Sequence, residues 1–171
     1  MPPAGVGEPL TIFRPGGGDS LTVPRFDLVD ETFVVATPAA VAAAIGDPQR
    51  WRRWWPDLRL SIFQDRAEQG IRWNLDGALA GSMEVWLEPY GDGVIVHYYL
   101  RADPPPGRAF SARSARREQR RRALRAKQVF WGLKDELEAG RPAGEPRALP
   151  AAEKSSADSE NSSQPRSTSS R

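Results

Sequence analysis

Residues 29–58 read VDETFVVATPAAVAAAIGDPQRWRRWWPDL, and three kinds of local signal follow one another in them without a gap. From Leu28 to Ala36 the chain alternates, with Val29, Phe33 and Val35 on one parity, which predicts a strand. Thr37-Pro38 ends it and opens a short helix through Ile45, because a threonine oxygen caps backbone N–H groups and proline suits the first helical position. Gly46 stands where a left-handed residue usually closes a helix. Asp47-Pro48 repeats the start signal, Trp51, Trp54 and Trp55 then share one helical face, and Pro56 stops the turn.

From Leu58 onward the hydrophobic period is two. Leu58, Leu60 and Ile62, then Ile71, Trp73 and Leu75, then Met83, Val85 and Leu87 alternate with polar neighbours, the mark of half-buried antiparallel strands. Gly91-Asp92 suits a two-residue hairpin turn, and pairing Tyr90 with Gly93 sets Leu87 opposite Val96, Val85 opposite Tyr98 and Met83 opposite Leu100. The other face of that hairpin pairs Trp86 with His97 and Glu84 with Tyr99. After the Pro104-Pro105-Pro106-Gly107 break, Ala123, Ala126, Phe130, Leu133 and Leu137 fall on one face of a long C-terminal helix. Residues 110–139 would span about 45 Å as a helix, whereas five strands side by side cover about 24 Å, so the Arg-rich half of the helix is expected to overhang the sheet.

This order of elements is similar to that of the START-like (SRPBCC) superfamily, which includes polyketide cyclases/dehydratases, Bet v 1 proteins and lipid carriers. The residues that carry the likeness are the stretch 29–58 quoted above and WLEPYGDGVIVHYYL at 86–100, which resembles the closing hairpin of that superfamily. The resemblance covers about residues 26–139. It implies an α+β helix-grip fold, an antiparallel sheet wrapped on the long C-terminal helix, with two short helices after the first strand. It also implies an apolar cavity between sheet and helix and a hydrophobic small molecule, lipid-like or polyketide-like, bound there without a covalent bond. The chain departs from the superfamily in having room for only about five or six strands between Leu28 and Arg101, a hairpin in the middle being absent, and a shorter sheet encloses less volume.

Composition bounds the chemistry. The 171 residues include no Cys and one His, so disulfides, thiolate nucleophiles and sites built from several imidazoles or thiolates are excluded, and neither a metal nor another cofactor is expected. There is no run of about 18 apolar residues and no leader-like N-terminus, so a cytoplasmic location is expected. Residues 1–25, rich in Pro and Gly, read as an extension of low order in which only the pieces around Ile12-Phe13 and Leu21–Val23 suit an edge strand. Residues 140–171 lack Trp, Phe, Tyr, Val and Ile and read as a disordered tail, which leaves 26–139 as the folded domain.

The charge is uneven although the net is only +2. Residues 1–108 carry 10 basic and 14 acidic side chains, residues 109–139 carry 9 and 4, and residues 140–171 carry 5 and 4. Within the basic segment Arg113, Arg116, Arg117, Arg120, Arg121, Arg122 and Arg125 go nearly all round a helix, as on a solvated overhang. Arg116, Arg117, Arg120 and Arg121 are the residues expected to meet an anionic membrane surface. No aromatic residue stands between Arg113 and Arg125 to stack on bases, which weighs against nucleic acid.

The inward parity makes Trp73, Met83, Val85, Tyr98, Phe130 and Leu133 the candidate ligand wall, and the same positions would be plain core if no cavity exists. Trp51 and Trp54 read as anchors of the short helices; Trp55, beside Pro56, is left open between anchor and pocket wall. His97 is a candidate general acid or base by chemistry, but the register turns it away from the helix and argues for a structural role. No catalytic residue is assigned, and binding does not require one. A cyclase or dehydratase without metal is the alternative, and it needs a titratable partner for Tyr98 on the inner face. An adaptor working through the Arg-rich helix, on an anionic membrane, a nucleic acid or a protein, is the other.

Overall fold

The computed structural model describes residues 23–147. Most of the N-terminal extension, with Ile12-Phe13 and Leu21-Thr22, and the tail beyond Arg147 lie outside the described residues. The elements are β1 (Phe26–Val34), α1 (Pro38–Ile45), α2 (Pro48–Trp54), β2 (Leu58–Asp65), β3 (Gly70–Gly77), β4 (Ala80–Tyr90), β5 (Gly93–Asp103) and α3 (Ala112–Leu137), with a single 3-10 turn at Ala67–Gln69. All pairings are antiparallel and the order across the sheet is β1-β5-β4-β3-β2. This is the α+β arrangement expected, with five strands.

The start signals are used as read. Thr37 Oγ1 accepts from Ala40 N at 3.1 Å and Asp47 Oδ1 accepts from Gln49 N at 2.8 Å, so each short helix has its cap. Gly46 does not take the left-handed conformation; its φ is −77° because the next cap, Asp47, follows at once. The β4–β5 hairpin has Tyr90 opposite Gly93, Val85 opposite Tyr98 and Trp86 opposite His97. Gly91 has φ +57°, and Asp92 is not among the residues of positive φ, the pattern of a turn that matches strand twist.

Two details of the strands differ from the expected pattern. On β1 the inward residues are Phe26, Leu28, Asp30, Thr32 and Val34, while Val29 is 59% exposed and Phe33 38% exposed. Both parities of β1 carry apolar side chains, so periodicity alone does not choose. Pairing with β5, which sets Leu28 opposite Leu100, Asp30 opposite Tyr98 and Val34 opposite Val94, decides which face is inside. On β2, Leu58 is buried but Ile62 is exposed, because the register shifts between Ile62 and Gln64 and turns the strand end off the core.

α3 also takes a course that comparing its length with sheet width did not foresee. Gln119 Nε2 donates to Asp27 O, Lys127 pairs with Asp30, Lys134 Nζ donates to Phe33 O and Glu138 accepts from Val35 N. Ascending α3 therefore means ascending β1: the helix lies along the edge strand rather than across the five strands. Its 26 residues span about 39 Å against about 30 Å for the nine of β1, so the overhang is confined to the first turns, before Gln119. On its other flank α3 meets the α2–β2 junction through Arg125 and Arg122, which closes the apolar interior between β1 and β2.

Candidate functional site

The inner face is an aromatic layer. Trp55, which follows α2 with φ −134° and ψ 70°, is 2% exposed and stacks on Tyr98 at 6.2 Å between centroids with 6° between planes. Tyr98 meets Phe130 of α3 at 5.4 Å, and Trp55 meets Trp73 of β3 at 6.4 Å. Trp51 packs edge-on against Trp73 at 5.4 Å and donates its indole N–H to Ile45 O at 2.6 Å. Met83, Val85 and Leu133 are each at most 2% exposed in the same cluster. The side chains read as a candidate wall are thus gathered on one face, and they touch one another. Rings from the sheet, from α3 and from the end of α2 meet there.

Polar groups lie inside this layer that the sequence reading did not single out. Asp30 stands directly opposite Tyr98, with one carboxylate oxygen on Lys127 and the other, Oδ2, buried without a partner. Thr32 Oγ1 and the indole nitrogen of Trp73 are also buried without a hydrogen bond. Burial raises the pKa of the Tyr98 phenol well above its ordinary value, with Arg122 pulling down and Asp30 pushing up more weakly. Asp30, Thr32 and Arg122 were missed for a physical reason. The two on β1 belong to the parity that periodicity assigned to solvent, and Arg122 lies in a run of arginines that looked uniformly exposed.

That run divides into two groups. Arg122 is 4% exposed; it donates to Asp57 through Nη1 at 2.9 Å and Nη2 at 2.7 Å, and to Glu118 through Nε at 2.8 Å. Arg121 joins the same two carboxylates at 2.8 and 2.7 Å, so although exposed it is engaged in this clamp rather than free for an anionic surface. Arg125 donates to the carbonyls of Trp54 (2.7 Å) and Arg53, which closes the end of α2. Arg113, Arg116, Arg117 and Arg120 are exposed and have no partner among the described residues.

Two clefts bear on binding. One, of about 300 Å³, opens between α1 and the β2–β3 connection, lined by Ala39, Ala42, Ile45 and Gly46 on one side and Asp65, Ala67, Glu68, Gly70 and Ile71 on the other. Its lining residues Ile45 and Ile71 are 1% and 3% exposed and belong to the same apolar cluster as Trp51 and Trp73. Gly70 allows the close approach of strands there: its φ is +114°, and a Cβ would stand 2.0 Å from Val85 O. The second cleft, of about 510 Å³, lies at the other end of α3, among Arg25, Ala112, Ala115, Arg116, Gln119, Arg120 and Ala123.

His97 is on the outer face of the sheet. Its Nδ1 is 3.0 Å from Glu31 Oε1, its Nε2 is 2.9 Å from Glu88 Oε2, and its ring stacks on Trp86 at 4.5 Å. With both nitrogens engaged, the imidazole links β1, β5 and β4, remote from the aromatic layer. Among the described residues no group of three or more His, Cys, Asp or Glu is placed to hold a metal ion. No described helix is long and apolar enough to cross a membrane.

No protein-family model and no curated protein sequence matches this chain. Solved structures do. A START superfamily protein from Mycobacterium smegmatis superposes with a TM-score of 0.51 over 65% of this chain and 98% of its own, at 9% identity. The di-domain ARO/CYC StfQ from the steffimycin biosynthetic pathway gives a TM-score of 0.44 at 15% identity, over 66% of this chain and 50% of its own. Ara h 8.0201 gives 0.43 at 10% identity, over 67% of this chain and 98% of its own. At 9% identity the likeness to the Mycobacterium smegmatis protein establishes the fold alone, which is of the START type.

Proposed function

From a START-type fold whose inner face holds unspent hydrogen-bonding groups, we propose that this protein binds an apolar small molecule carrying a hydrogen-bond acceptor, non-covalently, through the cleft between α1 and the β2–β3 connection. The observation that carries the reading is the buried indole N–H of Trp73, which has no acceptor among the described residues and belongs to the same apolar cluster as Ile45 and Ile71 of the cleft lining. A buried donor left unmade costs about 1–3 kcal/mol, and a ligand carbonyl or hydroxyl that reaches it recovers part of that. The cleft, at about 300 Å³, is at the small end of ligand sites. Trp55, Met83, Val85, Tyr98, Phe130 and Leu133 belong to the same buried cluster as Ile45 and Ile71 of the lining, without lining the cleft themselves.

Fluorescence titration with neutral N-phenyl-1-naphthylamine tests the reading. One saturable site per chain is expected, and Ala42→Trp, which fills the cleft, should remove it while the circular dichroism and melting temperature hold. Trp73→Phe should weaken 1-acetylnaphthalene about 5-fold or more relative to naphthalene, since only the ketone uses the N–H. Absence of saturable binding, or binding unchanged by Ala42→Trp, refutes the proposal.

A second reading, a cyclase or dehydratase working by proton transfer, draws on Asp30 beside Tyr98 with Arg122 in electrostatic reach. Here the phenol, kept neutral by burial, would donate a hydrogen bond to a substrate oxygen while the Asp30 carboxylate takes a proton. Tyr98→Phe and Asp30→Asn should each lower turnover of a β-ketoacyl test substrate by about 100-fold or more with folding intact, and wild-type rates in either variant would sink this reading.

A further inference from the structure

The cationic side chains of α3 are sorted by position, and the sorting points to a second site. Moving up the helix from Arg121, the basic residues Arg121, Arg122, Arg125, Lys127 and Lys134 each meet a carboxylate or a backbone carbonyl. Moving down from Arg120, none does. Arg116 and Arg120, one helical turn apart, line the same 510 Å³ cleft as Arg25, which precedes β1, and no partner among the described residues engages any of the three guanidinium groups.

The nearby acids do not pair with these three guanidinium groups. Glu118 turns to Arg121 and Arg122, Asp27 lies 3.6 Å from Arg101 Nε, and Asp103 accepts the backbone N–H of Arg25 at 2.8 Å. The floor between the arginines is made of Ala112, Ala115 and Ala123, small side chains that leave room for a ligand and offer it no charge. Like charges lining one concavity repel, and among the described residues no carboxylate pairs with any of the three guanidinium groups. A dianion does. The planar guanidinium fork matches phosphate oxygens two at a time, which a lone ammonium does not.

We propose that Arg25, Arg116 and Arg120 form a binding site for a phosphate monoester, with its organic portion over the alanine floor. The site lies at the end of α3 opposite the α1 cleft and is independent of whether that cleft takes an apolar ligand. A soluble organic phosphate and a phosphomonoester lipid headgroup present the same chemistry, and two arms of one experiment separate them.

The full chain is titrated calorimetrically with phenyl phosphate at fixed ionic strength. One saturable site is expected. Arg116→Gln/Arg120→Gln should weaken it by about 10-fold or more, Arg25→Gln by several-fold, and Arg116→Lys/Arg120→Lys by an intermediate factor because charge remains while the fork is lost. Arg113→Gln/Arg117→Gln removes the same charge from exposed positions that do not line the cleft and should change affinity by less than about 2-fold. In the second arm, vesicles of phosphatidylcholine with phosphatidic acid are added. Vesicle binding that phenyl phosphate displaces assigns the site to a lipid headgroup, and phenyl phosphate binding without vesicle binding assigns it to a soluble phosphate; both uphold the cleft. Equal losses in the two double glutamine variants show diffuse charge and overturn the proposal. So does the absence of saturable binding, and so does tighter binding of an RNA oligonucleotide that phenyl phosphate does not displace.

Discussion

Removing Asp57 should destabilise the protein far more than a surface carboxylate would. The Asp57→Ala variant strips Arg122 of the acceptor for both Nη groups and leaves it only Glu118, at a guanidinium that is 4% exposed. Breaking a buried ion pair on one side costs about 3–5 kcal/mol because a charge stays behind without compensation. Glu118 remains, and the Asp57 side chain is 34% exposed, so water partly fills the gap and the lower end applies, about 3 kcal/mol. For a domain of this size that lowers the melting temperature by roughly 12 °C. Urea unfolding followed by tryptophan fluorescence measures it, and a cycle with Arg122→Met should return a coupling of about 2 kcal/mol.

The pH dependence carries a second check on the same clamp. Burial works against ionisation of Asp57, but hydrogen bonds from Arg122 and Arg121 outweigh it, and the carboxyl is held below its ordinary value. Glu118 behaves likewise, with Arg121 and Arg122 overcoming its burial. A carboxyl lowered on folding contributes stability above its unfolded pKa and loses it as pH falls through the folded one. The gap between wild type and Asp57→Ala should therefore be full at pH 7 and close as the solution is acidified below about 4. A loss under about 1 kcal/mol at pH 7, with a coupling near zero, would show that the clamp is ornamental and that α3 is held by apolar contact alone.

Glu138 gives a related expectation at the other end of α3: burial opposes its charge, yet hydrogen bonds from Lys134, Val35 N–H and Arg141 bring its carboxyl down to about 2. Glu138→Gln should shift the midpoint of acid unfolding upward, since the native state loses a carboxylate that resists protonation between about pH 4.5 and 2, and an unchanged midpoint would refute the link. Phe130→Ala should cost about 3–5 kcal/mol and Trp131→Ala under about 0.5, because the first ring is 1% exposed against Tyr98 and the second 58% exposed beside Lys127; comparable losses in urea melts would contradict the placement of α3. Limited proteolysis with mass analysis should remove the Ser- and Pro-rich C-terminus and leave a body ending between Ala139 and Arg147, where Arg141 still reaches Glu138 and Arg147 N reaches Asp92. Protection of residues 150–171 equal to that of α3 would contradict it.

Local chemistry was enough wherever one signal excluded the others. Thr37-Pro38 and Asp47-Pro48 start helices because the cap oxygen and the proline ring act within a few residues, and the β4–β5 register follows from Gly91-Asp92 with one parity wholly apolar and the other mixed. The order of strand, paired short helices, meander and long helix was legible for that reason, and with it the fold. The same logic failed on β1, where Val29 and Phe33 compete with Phe26, Leu28 and Val34, and only pairing with β5 decides which set is inside. Asp30 and Thr32 were hidden with that parity.

What a long-range partner decides was likewise absent from the local pattern. Arg116 and Arg122 are the same residue type six positions apart, yet Arg122 is buried by Asp57, 65 residues away, while Arg116 stays open to solvent. Trp55 is drawn into the core by stacking on Tyr98, a contact between positions 43 residues apart. Whether a grip between sheet and helix encloses a cavity depends on how ring volumes fill it. Packing is a property of all the side chains at once, and only the tertiary structure brought Trp51, Trp55, Trp73, Tyr98 and Phe130 face to face.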